Sequence, residues 1–327
     1  MGEWLVEEGI GEQRAVLVRK NRVEAARLYW PGGLTPGQVE EAKIISRRAG
    51  SPRGTARFAS GEEALIDRLP HSATEGSIIR LEVTRAAMPE VGRRKLAQAQ
   101  PMDKPLRSPP NLAEQLAVQE TSVRVVHRFP ADLGWNELWH EAQEGRVTFG
   151  GGALLFYTTP AMTLVDVDGE ADPLALARAA IPPLAAALRR FDLGGSIGVD
   201  FPTVGDKAGR KAIDSALGEA LADWPHERTA MNGFGFVQLV ARLERPSIIG
   251  LLTHHPAIAA ARHLLRTAEA LSGAGDLLLT CTGQVAAALK AEWLSELQRR
   301  TGRRVRCEVR DDRLDPVAGH AQLVPHE

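Results

Sequence analysis

Cysteine is nearly absent from this sequence, since only Cys281 and Cys307 occur among 327 residues. Two thiols exclude a scaffold of several disulfides and a zinc site with four cysteine ligands from one chain, so we expect no zinc. Apolar runs of membrane-spanning length are also missing, so we expect no membrane contact. The acidic start, Met1-Gly2-Glu3-Trp4, lacks the basic region of a secretory signal. We therefore expect a cytoplasmic protein.

An excess of charge of either sign is missing as well. The net charge is −1 and the pI is about 6.8, which argues against a generally basic nucleic-acid-binding protein. The average conceals a local bias, because the segment 43–100 contains eleven Lys and Arg and six Asp and Glu, a net charge of +5. A basic unit beside acidic ones is typical of a module that binds a polyanion. On charge alone, an ordinary solvated surface explains the bias equally well.

The first half of the chain predicts mostly β-structure. Residues 5–28 indicate one or two strands, and the turn-rich stretch 30–37 ends them. Gly, Pro and Ser then separate five predicted strands of a small barrel of the OB type, at Ala42–Arg48, Gly54–Ala59, Ala64–Asp67, Ser77–Arg85 and Arg94–Gln98. Four prolines within 101–110 indicate a linker. A strand at Val123–Val126 and a helix at Trp135–Glu144 follow.

The second half alternates between strands and helices. The predicted elements are a hairpin within Gly145–Asp168, a helix at Asp172–Phe191 that Pro182 and Pro183 bend or split, a strand at Ser196–Phe201 and a helix at Lys207–Asp223. This order predicts a βαβ unit in a partly parallel sheet. The C-terminal segments predict an αβαββ domain, at Pro256–Leu271, Asp276–Cys281, Gln284–Thr301, Arg304–Arg310 and His320–Val324. We expect Cys281 and Cys307 to be buried on neighbouring strands of it.

Acidic residues end two of the apolar strands. On the strand 163–168, alternation places Leu164, Asp166 and Asp168 on one face. Asp200 ends the next strand where it meets its following loop, the position at which open α/β sheets bind ligands. Carboxylates from two adjacent strands can hold one or two Mg²⁺ ions against a phosphate. The alternative is that these aspartates cap helices or end strands at the surface.

Two basic clusters accompany these carboxylates. On the helix after Asp200, spacings of three and four place Lys207, Arg210 and Lys211 on one face, which can meet phosphates or simply be solvated. The predicted barrel has an aromatic residue among cations, an arrangement that binds single strands by stacking and charge. Its candidates are Lys43, Arg47, Arg48, Arg53, Arg57, Phe58, Arg80, Arg93, Arg94 and Lys95. Phe58 can equally belong to the core of the barrel.

Three motifs occur in a characteristic order, at Arg146–Leu155, Thr163–Asp168 and Asp192–Phe201. They resemble the catalytic core of the ribonuclease E/G family, which has a glycine-rich hairpin, a strand ending in Asp-x-Asn, and an Asp-Leu-Gly-Gly segment that leads to a strand ending in Asp-Phe. Arg228, Phe234-Gly-Phe236 and Arg245-Pro-Ser247 are similar to the elements downstream. The likeness covers nearly the whole chain in order.

The resemblance implies a multidomain α+β fold. An OB/S1-like barrel would be inserted in a reduced RNase H-like unit, followed by a DNase I-like α/β catalytic core and a small αβαββ domain. The implied boundaries are 1–38 for the N-terminal strands, 39–100 for the RNA-binding barrel, 101–145 for the linker and the rest of the first unit, 146–250 for the core and 251–327 for the C-terminal domain.

The same resemblance implies a Mg²⁺-dependent endoribonuclease. Asp166 and Asp200 would hold the catalytic Mg²⁺, or Mn²⁺, with Asp168 as a further ligand in place of the family's asparagine. The metal would activate water for in-line attack on single-stranded RNA, such as an mRNA or rRNA precursor, and leave a 5′-phosphate on the downstream product. The expected RNA-binding residues are Lys43, Arg47, Arg57, Phe58, Arg93, Arg94, Lys95, Lys207, Arg210, Lys211 and Arg228.

The sequence also departs from the family pattern. Asp168 replaces the asparagine, and Gln238 and Ala241 replace a glutamate and part of a basic run, which Arg242 and Arg245 partly restore. The zinc-binding Cys-x-x-Cys that links larger members into tetramers is missing, so we expect no zinc-linked tetramer and leave the oligomeric state open. The segment 101–144 is too short for a 5′-monophosphate sensor. We therefore expect cleavage that depends little on the 5′ end of the RNA.

Two other functions are compatible with the same residues. One is a catalytically weak RNA-binding scaffold protein, which the replaced glutamate and arginine positions favour. The other is a metal-dependent phosphatase or a nuclease acting on DNA, because it would use the same carboxylates and because OB-type barrels also accept DNA. The retained Asp166 and Asp200 favour the ribonuclease.

Overall fold

A meander of three antiparallel strands begins the chain: β1 (Glu3–Gly9), β2 (Glu12–Arg19) and β3 (Arg22–Tyr29). The computed structural model describes residues 2–90, 93–118, 120, 122–310 and 318–326, without the side chain of Arg93. The sequence predicted one or two strands here. Two tight turns divide the segment into three, and Gly11, Lys20 and Asn21 adopt the left-handed backbone conformation at those turns.

A closed five-stranded barrel follows, as the sequence predicts. Its first four strands are β4 (Val39–Arg47), β5 (Gly54–Arg57), β6 (Glu63–Ile66) and β7 (Ile78–Arg85). Strands β8 (Met88–Glu90) and β9 (Arg93–Lys95) pair as a separate hairpin, and β10 (Ala97–Pro101) closes the barrel between β6 and β7. The predicted fifth strand at 94–98 therefore began too early. Ala97 and Ala99 are small and buried in the barrel, whereas Arg94 and Lys95 are exposed.

The chain returns to its first sheet after the barrel. Helix α1 (Leu112–Ala117) begins at a capping box formed by Asn111 and Glu114. Strand β11 (Val123–Val126) then pairs in parallel with β1, so the strand order of this N-terminal sheet is β11–β1–β2–β3. The barrel is thus an insertion between β3 and β11 of one sheet. Helix α2 (Trp135–Glu144) has the bounds that the sequence predicts.

A six-stranded sheet forms the centre of the molecule. Its elements are β12 (Arg146–Phe149), β13 (Gly152–Thr158), β14 (Thr163–Gly169), α3 (Pro173–Arg190), β15 (Gly195–Asp200), α4 (Lys207–Ala220), β16 (His226–Arg228) and β17 (Phe236–Ala241). The strand order is β12–β13–β14–β15–β17–β16. β14 and β15 are parallel and joined through α3, which confirms the predicted βαβ unit. The strand–helix pattern had not predicted the two strands β16 and β17.

Helix α3 continues through two prolines. Pro182 is exposed, while Ile181 and Leu184 on the packed face are buried. The turn that lacks a hydrogen-bond donor therefore faces solvent, and the buried face is uninterrupted. Of the predicted bend or split of this helix, the split was wrong for that reason, because α3 runs unbroken from Pro173 to Arg190.

The C-terminal elements surround a three-stranded sheet of order β19–β18–β20. They are α5 (Ile248–His254), α6 (Pro256–Ala270), β18 (Asp276–Cys281), α7 (Gly283–Ala288), α8 (Ala291–Thr301), β19 (Val305–Val309) and β20 (Gly319–Val324). The single helix predicted for 284–301 is two helices, because Leu289 and Lys290 are extended. Cys281 is buried as expected, but Cys307 on the edge strand β19 is exposed, so that expectation was wrong.

The largest hydrophobic core joins the N-terminal sheet to the six-stranded sheet. Leu5 and Leu28 of the first belong to the same buried cluster as Val165 and Ile197 of the second. The barrel and the C-terminal sheet have separate clusters. Among the described residues, no helix is long and apolar enough to cross a membrane.

Candidate metal and RNA site

Two carboxylates lie side by side in the middle of the six-stranded sheet. Asp166 on β14 is the direct register partner of Asp200 on the parallel strand β15. The alternate residues Val165 and Val199 are fully buried and therefore point to the opposite face. We call the face that carries Asp166 and Asp200 the aspartate face, and these two residues the carboxylate pair.

The charge of the carboxylate pair is not compensated by the protein. None of Asp166, Asp168 and Asp200 forms an ion pair with a described residue. The pKa of Asp166 is raised above its ordinary value, first by partial burial and then by the negative charges of Asp200 and Asp168, against which one backbone hydrogen bond acts weakly. Like charges held this close are unfavourable unless a cation joins them.

This arrangement fits a hard divalent cation. Mg²⁺ is commonly held by one or two carboxylates, with water and a phosphate completing the coordination. In the described part of the chain, no three His, Cys, Asp or Glu side chains are gathered into a ready-made metal site. Asp168 is exposed near the end of β14, opposite Ala153, and its part as a further ligand stays a prediction.

Gln238 occupies the aspartate face where the resembled family has a glutamate. It lies opposite Gly198 in the register, two residues along β17 from the partner of Asp200. Its Nε2 donates to Oγ of Ser196 at 3.1 Å. The side chain is therefore held by its neighbour and adds no negative charge beside the carboxylate pair.

The basic residues predicted near the pair divide into engaged and unengaged ones. Arg210 donates to the carbonyl oxygens of Val204 and Gly205, at 2.7 and 2.9 Å, and so braces the loop between β15 and α4. Arg228 of β16 forms an ion pair with Asp214 of α4. Lys207 and Lys211 are exposed and form no ion pair within the described residues. The two lysines are thus available to phosphates, whereas the two arginines are mainly structural.

The barrel shows the same division. Arg57 is paired with Glu63 at 2.7 Å and Arg94 with Glu62 at 2.8 Å. Arg47 holds a loop, since its guanidinium donates to the carbonyl oxygens of Ser51, Pro70 and Ala73. Lys43 and Lys95 are exposed and have no ion-pair partner among the described residues. Lys43 and Lys95 therefore stay predicted RNA-binding residues. The side chain of Arg93, which was also predicted to bind RNA, lies outside the described residues.

Phe58 does not have the position that base stacking requires. Its side chain is only 3% exposed and packs in the core of the barrel with Ile44 and Ile66. The expectation that it binds RNA was wrong. Phe58 directly follows β5, and its ring enters the barrel because a small core needs a large apolar side chain.

Sequence patterns missed an exposed aromatic residue beside the pair. Phe234 is 79% exposed, in the turn that leads into β17. The strand β17 places Phe236 opposite Asp200, so this turn lies next to the carboxylate pair. The pairing of β17 with β15 is not visible in the sequence, although the Phe-Gly-Phe motif itself is.

A cavity of about 430 Å³ lies at the end of β14 and is lined by Arg146, Glu170 and the predicted ligand Asp168. Another, of about 360 Å³, is lined by residues of the N-terminal sheet, the β8–β9 hairpin and α5, among them Trp30, His254 and His255. Neither this cavity nor its neighbour includes an aspartate of the pair in its lining. The candidate site is therefore an open surface of the sheet, which suits a long polymer better than a small molecule.

No protein-family model and no curated protein matches this chain.

Proposed function

We propose that this chain is a Mg²⁺-dependent endoribonuclease of the ribonuclease E/G type, which hydrolyses phosphodiester bonds in single-stranded RNA during RNA processing or decay in the cytoplasm. The observation that carries the proposal is the carboxylate pair, Asp166 opposite Asp200, which no cationic side chain of the described residues compensates. The closed barrel inserted in the N-terminal sheet supports it, because an OB/S1-like barrel beside a DNase I-like core would hold the strand near the site.

In this mechanism the residues of the chain hold and orient the reacting groups. Asp166 and Asp200 would hold Mg²⁺, which when bound supplies an activated water and stabilises the charge that develops on the phosphate. The carboxylates must be ionised to do so, and the raised pKa of Asp166 means that metal and proton compete at this residue. The open face around them admits a strand to either side.

The unengaged lysines would supply the attraction that the carboxylates lack. RNA phosphates are repelled by Asp166, Asp168 and Asp200, so cations elsewhere must balance this cost. Lys207 and Lys211 on α4 and Lys43 and Lys95 on the barrel and its hairpin are exposed for that task. The proposal thus separates chemistry at the carboxylate pair from binding at the lysines.

Cleavage of a 5′-labelled, unstructured A/U-rich RNA tests the proposal. We expect internal cuts with Mg²⁺, none with EDTA, and a loss of at least about a hundredfold in rate for Asp166→Asn and for Asp200→Asn. Asp223→Asn changes an exposed aspartate outside the aspartate face and should cleave like the wild type. Cleavage that persists in both site variants, or in EDTA, would refute the proposal.

A catalytically weak RNA-binding scaffold is the second candidate. The neutral Gln238, held by Ser196 on the aspartate face, favours it. Salt-sensitive RNA binding by the wild type without any cleavage would establish this alternative. If the protein does cleave, equal rates on 5′-triphosphate and 5′-monophosphate RNA are expected, and a strong preference for the monophosphate would contradict the absence of a 5′ sensor.

A further inference from the structure

The turn before β17 presents an apolar ring to solvent and is closed by several hydrogen bonds. The side-chain oxygen of Asn232 accepts hydrogen bonds from the backbone N–H groups of Phe234 and Phe236, at 2.9 and 3.0 Å. Two backbone hydrogen bonds close the same turn, from Asn232 to Phe236 and from Gly235 to Asn232. Phe234 at its tip is 79% exposed. Hydrogen bonds on both sides of Phe234 therefore hold the backbone that presents its ring to solvent.

The same turn is fastened to the strand that carries Asp200. The backbone N–H of Phe201 donates to the carbonyl of Gly235 at 3.2 Å, and Oγ1 of Thr203 donates to the carbonyl of Phe234 at 3.2 Å. Gly235 has φ of +91°, and a Cβ there would lie 2.2 Å from the carbonyl oxygen of Phe201. Only glycine fits this approach. The position of Phe234 is thus fixed relative to the carboxylate pair.

A second aromatic ring extends an apolar surface toward the pair. Phe236 lies over Gly198, where an added Cβ would be 2.6 Å from the ring and 3.0 Å from the sulfur of Met162. Gly198 directly precedes Val199 and Asp200 on β15, so the ring covers the strand just before the carboxylate. The aspartate face therefore offers apolar and aromatic surface immediately beside its negative charge.

We propose that Phe234 stacks on a base of the single-stranded RNA next to the phosphate held at the carboxylate pair. The inference rests on the proposed function and adds to it a positioning contact. Stacking accepts every base, because each base has a π-face, so the contact would hold the nucleotide without reading its identity. Holding the neighbouring base would fix the scissile phosphate relative to Asp166 and Asp200, which lie on the face of the sheet.

An abasic scan tests this contact separately from catalysis. A fluorescein-labelled A/U-rich RNA is trimmed to the shortest length that still binds with full affinity, so that it can bind in only one register. It is then prepared with a single abasic nucleotide at each position in turn, and its binding is measured by anisotropy with Ca²⁺ in place of Mg²⁺. We expect the wild type to lose about tenfold in affinity at one position. Phe234→Ala should bind intact RNA about tenfold more weakly and show no further loss with that abasic RNA.

Three further variants sharpen the result. Phe234→Trp keeps an aromatic face and should retain the position-specific loss, whereas Phe234→Leu keeps an apolar side chain without one and should behave like Phe234→Ala. Val125→Ala removes an exposed apolar side chain of β11, and should bind like the wild type. Sedimentation of the wild type and Phe234→Ala shows whether the ring instead joins two copies of the chain.

The outcomes separate the contact from the proposed function. A flat abasic scan, or wild-type affinity for Phe234→Ala, overturns the contact while the cleavage assay decides the nuclease. A change of oligomeric state in Phe234→Ala also overturns it. A wild type that binds but does not cut, with the position-specific loss, supports the contact and contradicts the nuclease. A wild type that binds no RNA overturns both.

Discussion

Two regions of this molecule treat carboxylates in opposite ways. At the start of β2, Glu12 is buried within reach of two arginines, with Arg266 at 2.9 Å and Arg14 at 3.4 Å. On the aspartate face, Asp166 is less buried, and the charges of described residues that act on it are those of Asp200 and Asp168. Burial alone would raise the pKa of both groups. The arginines hold the pKa of Glu12 below its ordinary value, whereas the aspartates raise that of Asp166 further.

The difference separates a charge that is compensated within the fold from one that, under the proposed function, is left for a ligand. Glu12 and its arginines join the N-terminal sheet to α6, and aromatic rings cover the cations: Arg266 lies over Trp139 and Arg262 between Trp30 and Trp293. Removing one member of such a buried ion pair leaves an uncompensated charge in the contact between the two units, so the contact depends on both members. Within the part of the chain that the structure describes, the carboxylate pair has no such partner, and under the proposed function it would gain one by binding Mg²⁺. The comparison predicts effects on stability in one region and on ligand binding in the other.

The largest effect on stability is expected for Glu12→Gln. Neutralising this residue leaves Arg266 buried without its ion-pair partner, whereas Arg14 keeps its ion pair with Glu7. The free energy of unfolding should fall by about 3 kcal/mol. Urea unfolding followed by fluorescence measures it. In a double-mutant cycle, Arg266→Met should cost less in the Glu12→Gln background than in the wild type. If the free energy of unfolding of Glu12→Gln falls by less than about 0.5 kcal/mol, the proposed difference between the two regions is wrong.

His263 extends the first region and makes its stability depend on pH. Its ring stacks on Trp139 and accepts a hydrogen bond from Arg266, and burial followed by the charge of Arg266 lowers its pKa to about 4. The unfolded chain binds this proton near pH 6.5, so stability is lost as pH falls from about 6.5 toward 4. Between pH 7 and pH 5 the loss should be about 2 kcal/mol.

The matched variant His263→Asn keeps an acceptor near the position of Nδ1 but cannot titrate. Its free energy of unfolding should fall less between pH 7 and pH 5 than that of the wild type, when both are measured in urea. Equal pH dependence of the two proteins would show that His263 does not lose its charge on folding.

The cations should show the same contrast as the carboxylates. Cations without an ion-pair partner among the described residues should affect RNA binding, and paired cations should affect stability. The double variant Lys207→Ala/Lys211→Ala should weaken binding of a single-stranded RNA about tenfold and reduce the slope of log affinity against log salt by about 1.4. Arg228→Gln, which leaves Asp214 without its partner, should mainly lower the thermal stability. Lys20→Ala, on the β2–β3 turn, serves as a control for charge alone. An unchanged salt slope in the lysine variant would remove α4 from the RNA surface.

The smallest effect concerns the carboxylate pair in the absence of ligand. Asp166→Asn removes one of the repelling charges and should raise the melting temperature by about one to two degrees in EDTA. Mg²⁺ should then raise the melting temperature of the wild type but not that of the variant. A clear decrease for Asp166→Asn in EDTA would show that the carboxylate has a structural partner.

Local patterns predicted the elements of this fold better than their pairing. Alternation and turn residues located the barrel, β11, α2 and the βαβ unit, because each depends on neighbours in sequence. The fifth barrel strand was misplaced, and β16 and β17 were not predicted as strands. Their pairing depends on which side chains fit a core formed by distant residues. Asp166 and Asp200 could be singled out because two acidic residues interrupt apolar strands at places where parallel strands end.

The sequence by itself determined which residues can share a face. Strand alternation places Asp166 with Asp168, and helix spacing places Lys207 with Lys211. Only the tertiary structure decided which of these charged groups have an ion-pair partner among the described residues and which remain available to a ligand. It set Asp166 opposite Asp200, bound Arg57 and Arg228 to carboxylates, buried Phe58 and left Phe234 in solvent. The physical reason is that partners and burial arise from contacts between distant segments, which no local pattern records.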